Sequence, residues 1–484
     1  MVGKRKIQNV LRFQKKCSWG LYLGSPNFWE IARRAEVGPM MKEEDFDLKL
    51  ATTAMKLAKE YKITYEPNVY VSNDDDLADN VWKAGIELLL NGGVYNVSNK
   101  RVIEFNEDDI ETAIKHCTGE FEIGEGKDRV KLKARVVEDE KKPVIFSGPW
   151  GVETSLDQFV ELNQTFAQEP LVDVLFHGGH IQSIKGVQTI RGNSAFEVIA
   201  ARIYAELMDR AIVLAGRPFM PIVWGVAAGV SSLNELGADS IMPRKPENIF
   251  RTLSFLPELK LDDTLLSKTA HFMNYGYPIY AATTTIIGGY AGGPETAAIF
   301  AVAEQIAHVI VYGGIVNHIG PQHVRYRSQT NPASLWMNSV MGQAVARNAK
   351  FITTTSVTTA GRPGSMQMHL EAAALVICSV VSGRHLLGPR AANPLFPNHH
   401  NPLHARLFAE VARAATKLKR EEANDIVGKL VATYKDTLDF DKAPKGKPFD
   451  QSYDIKTLKP TEENVKLYED AKKKLIEMGL ELEV

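Results

Sequence analysis

Eight short apolar runs recur between residues 143 and 389, each closing on small or polar residues. They are PVIFSGPWG (143–151), VDVLFHGGH (172–180), FMPIVWG (219–225), TLLSKTAHFMN (264–274), YPIYAATTTIIGGYAGG (277–293), HVIVYGGIVNHIG (308–320), FITTTSVTTAG (351–361) and RHLLGP (384–389). Helical stretches such as SAFEVIAARIYAELMDRAIVLAG and PETAAIFAVAEQIA lie between them. A strand that is apolar along its length, not at alternate residues, is buried on both faces. Parallel strands joined by covering helices meet that demand, and eight of them over roughly 250 residues predict an α/β fold, the closed (β/α)8 TIM barrel. An open doubly wound sheet shares the alternation, but no GxGxxG follows a strand, so its dinucleotide-binding form has no support.

The flanks read differently. Residues 1–142 are expected to form an N-terminal extension and helical layer, 143–445 the barrel, and 446–484 a helical tail packed on it. EDFDLKLATTAMKLAKEY sets Phe46, Leu48, Leu50, Met55 and Leu57 at helical spacing, and NDDDLADNVWKAGIELLLNGG repeats the pattern before a glycine pair suited to ending a helix. In the tail, Pro460 and Thr461 start a helix, Gly479 stops it, and Val465, Leu467, Ala471 and Leu475 make its face.

Composition excludes some partners. A formal net charge of -1, with 44% apolar and 24% charged residues, offers no general attraction to nucleic acid or an anionic membrane. No uninterrupted apolar run reaches about 18 residues, so no membrane span is expected. The basic first 20 residues lack the apolar core of a signal peptide. Cys17, Cys117 and Cys378 form no CxxC, which argues for a reducing compartment, and the chain is expected to be cytoplasmic. Cys378, inside AAALVICSVV, reads as core.

In such a barrel the active site lies at the C-terminal ends of the strands. The residues there are Trp150, His177, His180, Trp224, His271, Asn274, Tyr275, Tyr290, Asn317, His318, Thr355, Ser356 and Arg390. They are rich in aromatics and histidines and poor in acids. The nearest acids are Glu153, Glu295 and Glu371, and Glu295 opens a helix, where the dipole already favours it. HGGH (177–180) and PNHHNPLH (397–404) cluster histidines, but catalytic zinc needs three ligands and no cysteine assists, so no metal is expected. Trp224, closing a buried strand just before Gly225, reads either as core packing or as the floor of the site.

AGRP (215–218), GGYAGG (288–293), EVARA (410–414) and YDIKTLKPTEENVKLYEDAKKKLIEMGL (453–480) resemble the archaeal monomethylamine methyltransferase family, in order and with similar spacing from about residue 44 onward. The resemblance implies a (β/α)8 barrel that moves a methyl group to the cobalt of a separate corrinoid protein, and a homo-oligomer. The family's hallmark is pyrrolysine after the AGRP strand, just before a glycine. By this resemblance that position is Trp224 here, with Gly225 following, and the pyrrolysine is absent. A pocket glutamate of the family matches Ala282, a pocket glutamine matches Thr355 or Ser356, and the polar segment after pyrrolysine becomes VAAGVSS (226–232). The electrophile and the groups that hold the amine on it have gone together.

Transfer to Co(I) needs a methyl group on a good leaving group. A quaternary ammonium leaves as a neutral amine and needs no imine, so the expected substrate is a small methylated or quaternary amine or a betaine. Trp224, His177 and His318 are the expected catalytic residues, and Trp150, His180, His271, Tyr275, Ala282, Tyr290, Thr355 and Ser356 the expected substrate-binding ones. Trp224, Trp150, Tyr275 and Tyr290 would cage the cation, and His177, His180 or Arg390 would anchor a carboxylate. No cofactor is expected to be tightly bound, the cobalamin-type corrinoid being supplied by its protein, which is expected to dock over the barrel mouth. Demethylation of a methoxy or methylthio compound, and a non-catalytic homologue that only binds a corrinoid protein, remain as alternatives.

Overall fold

The computed structural model describes residues 28–177, 179, 181–189, 192–225, 231–239 and 246–482. Eight parallel strands close into a barrel: Ile145–Ser147, Val174–Phe176, Ile222–Trp224, Ile249–Ser254, Ile279–Thr283, Val316–Ile319, Ile352–Thr359 and His385–Ala391, called strands one to eight below. Strand three pairs with strand four and strand eight with strand one, which removes every edge.

One strand stands elsewhere than its apolar run suggests. Residues 264–274 lie in a helix, Asp263–Tyr275, capped by the Asp262 carboxylate on the Leu265 amide and stopped by Gly276 at φ 72°. Leu266, Thr269 and Phe272 are its buried face, a three-residue spacing that a strand would not bury on one side. The fourth strand is IFRTLS instead. Its apolar run is broken by Arg251, whose side chain leaves the barrel to meet Glu235 at 3.1 Å and Asp239.

Contacts between strands fix which side chains fill the lumen. Tyr280 on strand five meets Phe146 on strand one at 5.6 Å between ring centroids, Phe176 on strand two at 5.4 Å and Phe250 on strand four at 6.5 Å. Rings on separated strands meet only across the interior, so these four and Val174, Val223, Val316, Ile352 and Leu387 are the barrel filling. Their neighbours Ile145, Leu175, Ile222, Trp224 and Ile249 join the outer core under the helices. This strict alternation is the pleat of each strand.

A hairpin, Glu120–Ile123 with Val130–Lys133, plugs the N-terminal end of the barrel. Ile123, Val130 and Leu132 join the lumen filling, and Phe121 meets Phe250 at 5.7 Å. His385 ties it down: Nδ1 accepts from the Val144 amide at 2.9 Å and Nε2 lies 2.9 Å from the Lys133 carbonyl. Burial keeps this imidazole neutral, with its pKa lowered to about 3.

The helices Glu43–Glu60 and Asp75–Gly92 fall where helical spacing placed them. Phe46, Leu50 and Leu57 are buried in the first, but Leu48 and Met55 are exposed, because the inward stripe is completed by Ala54 and Ala58. Helix Asp75–Gly92 covers Pro294–Tyr312 and Pro332–Asn348 of the barrel wall. Pro294–Tyr312 is long and apolar enough to cross a membrane, yet it is almost wholly buried between barrel and outer helices. At the other end, helix Glu462–Glu477 docks on Pro402–Ala415 and Met366–Val381.

Candidate active site

The aromatic layer ends upward in a polar one. The Tyr280 hydroxyl lies 2.9 Å from His318 Nδ1 and 2.7 Å from Thr354 Oγ1, and those two are 2.9 Å apart. Strands five, six and seven thus each lend one group to a closed triangle. Pairing places Tyr280 one residue pair below Ala282, which sits level with Ser254 and His318. Alternation puts Tyr280 and Ala282 on the same face.

His318 is buried, and desolvation, together with the nearby Arg384 and Arg390 charges, holds its pKa well below the ordinary imidazole range. It is neutral at physiological pH. With Nδ1 engaged, Nε2 makes no hydrogen bond to a described residue and is the nitrogen left for a ligand. Arg384 stands behind the triangle, donating to the Thr354 carbonyl, to Ile319 O at 3.3 Å and to Asn338 Oδ1 at 3.2 Å. Its own burial pulls its pKa down to about 9.

Across the mouth, His177 follows strand two. Its amide donates to Val223 O at 2.9 Å and its ring lies 4.8 Å from Phe176. A Cβ at residue 225 would stand 2.9 Å from His177 Cδ2 and Nε2 and 3.4 Å from Thr252 Oγ1, so Gly225 lets these two side chains converge. Trp150, after strand one, meets Phe176 at 5.6 Å and carries the Arg390 guanidinium on its ring at 4.2 Å. Gly151, at φ 70°, has the room that guanidinium needs: a Cβ there would be 2.5 Å from Nη1.

The structure therefore brings together His177, His318, Trp150 and Ala282. Ser356 is near the same rim but tied down, accepting from Gln329 Nε2 at 2.8 Å and donating to Gln329 Oε1 at 3.1 Å. Thr355 bonds Ile319 O at 2.9 Å and bridges strands instead of facing the lumen. His180 lies outside the described residues.

Four expected site residues are elsewhere. Trp224 is 1% exposed, and its indole meets Tyr204 of helix Ala195–Leu214 at 5.2 Å, in the wall outside the lumen. The reason is the pleat: Val223, paired with Phe250, takes the inward face, so the next residue turns out with its partner Arg251. His271 and Tyr275 ride on the helix after strand four. His271 Nε2 is 2.6 Å from Asp239 Oδ2, and Tyr275 is 59% exposed. Tyr290 is 63% exposed and sits 5.6 Å from the Lys260 ammonium, which is itself bound to Glu43 and Asp47.

Tyr280 and Thr354 were not expected. The signal was available, since Tyr280 shares a face with Ala282 two residues on, and Thr354 pairs with His318. None of the described residues facing the upper lumen, Gly225, Thr252, Ser254, Ala282, His318 and Thr354, is an acid, a lysine or a cysteine. Among the described residues the site can hold and orient a ligand between rings and neutral polar groups, with Arg390 as a nearby charge, and offers no carboxylate to take up a proton.

Comparison with known proteins gives this geometry a family. The family model described as monomethylamine methyltransferase MtmB matches residues 27–480. Monomethylamine methyltransferase MtmB2 of Methanosarcina acetivorans is 33% identical over 457 residues, 93% of this chain and 98% of that protein. MtmB1 of Methanosarcina barkeri is 32% identical over 454 residues, with the same coverage of both chains. The crystal structure of the Methanosarcina barkeri monomethylamine methyltransferase superposes with a TM-score of 0.89 at 32% identity, over 94% of this chain and 98% of that one, and its hydroxylamine complex matches equally well. The chain belongs to the monomethylamine methyltransferase family and is a methyltransferase.

Proposed function

We propose that this protein transfers a methyl group from a small methylated amine, quaternary amine or betaine to Co(I) of a partner corrinoid protein, without pyrrolysine. Family membership supports the reaction class. The observation that carries the substrate reading is the absence of an acid, lysine or thiol among the described residues of the upper lumen, where Ala282 is flanked by Ser254 and His318. Without a covalent electrophile or a carboxylic proton donor among its described residues, such a site suits a leaving group that departs by itself. In a methylated quaternary ammonium the C–N bond breaks with its electron pair staying on nitrogen, and a neutral amine leaves. Co(I) supplies both electrons of the new Co–C bond and becomes methyl-Co(III); no proton moves.

This chain's residues supply position and a dry surface. Tyr280, Phe176 and Trp150 offer ring faces and edges to a methylammonium, a contact of about 0.5–2 kcal/mol per ring. His318, held neutral by burial and by Arg384, adds a polar contact without a competing charge. His177 and Gly225 border the opening. Holding the methyl in line with the cobalt, with water excluded, lowers the barrier through orientation. The corrinoid protein is a co-substrate that docks over the mouth, and the chain works as a homo-oligomer.

The test mixes the purified protein with a Co(I) corrinoid protein and a panel of methylated amines, quaternary amines, betaines, thioethers and methoxy compounds. Methyl-Co(III) absorbance with a nitrogen donor supports the proposal. Its appearance only with a thioether or methoxy donor, or with none, refutes it.

A further inference from the structure

Arg390 is a half-buried cation whose side chain has no paired anion and no hydrogen bond to any of the described residues. Its guanidinium lies on Trp150 at 4.2 Å, and its Nε is enclosed without an acceptor among those residues. Desolvation pulls its pKa down to about 10, and no neighbouring carboxylate opposes that fall. The deeply buried arginines Arg251, Arg135 and Arg384 also leave Nε without an acceptor, but their terminal nitrogens are bonded, Arg251 to Glu235 and Asp239, Arg135 to the Asp139 and Lys141 carbonyls and Arg384 to Asn338 and backbone, while Arg362 bonds the Asn393 and Ala443 carbonyls. A buried charge left unpaired in a folded protein is costly, so its persistence at a ligand site needs a ligand-based reason.

Its surroundings fix where such a ligand would lie. Trp150 packs on Phe176 of the lumen filling, and Gly151 after it gives the Arg390 guanidinium its room. The guanidinium therefore stands at the lumen mouth on the side of strands eight, one and two. A ligand carrying only positive charge would meet it as a like charge beside the very ring that would otherwise bind it.

We infer that Arg390 is a carboxylate receptor and that the substrate is a zwitterion, an N-methylated ammonium joined to a carboxylate. This rests on the methyl-transfer reading above and narrows it. The carboxylate pairs with the planar guanidinium, which accommodates two parallel hydrogen bonds. The ammonium end then extends toward Tyr280 and His318, past Ala282, where a side chain larger than methyl would intrude. Trp150 keeps the guanidinium flat and aimed, so it is a positioning residue for Arg390 as well as a ring for the ligand.

Calorimetric titration of the full-length protein with trimethylglycine, with its carboxamide analogue, in which only the carboxylate charge is removed, and with tetramethylammonium reads this directly. The acid is expected to bind at least about tenfold more tightly than the amide, which keeps the same ammonium, and than tetramethylammonium. Arg390→Gln should weaken the acid by about ten- to a hundredfold without weakening the cationic amide, which loses a like charge, and Arg390→Lys should restore part of the preference. Equal or tighter binding of the amide by the unmodified protein, or no measurable binding of the acid at millimolar concentration, overturns the inference without relying on any variant. Methyl-Co(III) formation separates the two readings. Arg390-dependent binding of the acid with no cobalt methylation by any donor removes the transfer reading and keeps the receptor. Cobalt methylation as fast from the amide or tetramethylammonium as from the acid keeps transfer and removes the receptor.

Discussion

Trp150, three residues beyond strand one, and Trp224, the last residue of strand three, both have a buried indole N–H without a hydrogen-bond partner among the described residues, and they do different things. Trp150 lies at the lumen mouth with a guanidinium on its face. Trp224 turns through the wall onto Tyr204, one residue beyond an inward-facing valine. The same split separates two histidines. His318 belongs to the lumen triangle, whereas His308 lies in the wall, with Nε2 2.6 Å from the Thr283 hydroxyl. Position along a strand brings a residue to the correct end of the barrel; the pleat decides whether it meets the ligand or the helices.

The sharpest way to break this contrast is to truncate each indole. Trp224→Ala empties a packed wall site and should cost about 3–5 kcal/mol in urea unfolding, with cobalt methylation per folded molecule retained. Trp150→Ala should cost clearly less stability and weaken substrate binding more than tenfold. Loss of transfer in a fully stable Trp224→Ala protein would return Trp224 to the site.

A smaller but still large effect tests the wall alone. Glu304, fully buried beneath Thr285 and the Glu258 amide, has its carboxyl pushed up to about 8, first by desolvation and then by Glu258. The folded state therefore holds this proton where the unfolded chain releases it near pH 4.5. Its contribution is complete below that pH and is lost as pH rises through about 8, a change on the order of a few kcal/mol. Glu304→Gln mimics the protonated group and should flatten that limb in unfolding midpoints taken from pH 5 to 9, without changing the substrate preference.

His308 has the opposite sign. Its pKa is lowered to about 3 by burial, so its contribution is full above pH 6.5 and declines as pH falls toward 3. His308→Gln should lessen the acid sensitivity of folding and leave transfer intact, while His318→Gln should lower transfer at every pH. The finest test is Tyr280→Phe, which removes one hydroxyl of the triangle. It should cost about 1 kcal/mol of stability and slow transfer severalfold by loosening His318, with far-ultraviolet dichroism unchanged.

Much of this was legible in the chain. The barrel, the helical layer and the docked C-terminal helix follow from apolar runs and caps, His177, His318 and Trp150 from counting to strand ends, and Ala282 from the family resemblance. The fourth strand escaped because Arg251 breaks its apolar run, and its charge is tolerated only through Glu235 and Asp239, which the fold brings behind it. A buried helix, Asp263–Tyr275, took its place in the reading because a short apolar run looks alike in both states. His271 and Tyr275 were drawn into the site by that exchange.

By itself the sequence determined the barrel class and all but one of its strands, since these depend on local spacing and on capping residues near each end. Only the tertiary structure decided that Trp224 faces the wall, that Tyr280 and Thr354 join His318, and that Arg390 lies unpaired on Trp150. The physical reason is the period of two in a strand. A shift of one residue exchanges inside for outside, and only closure of all eight strands sets which of the two occurs.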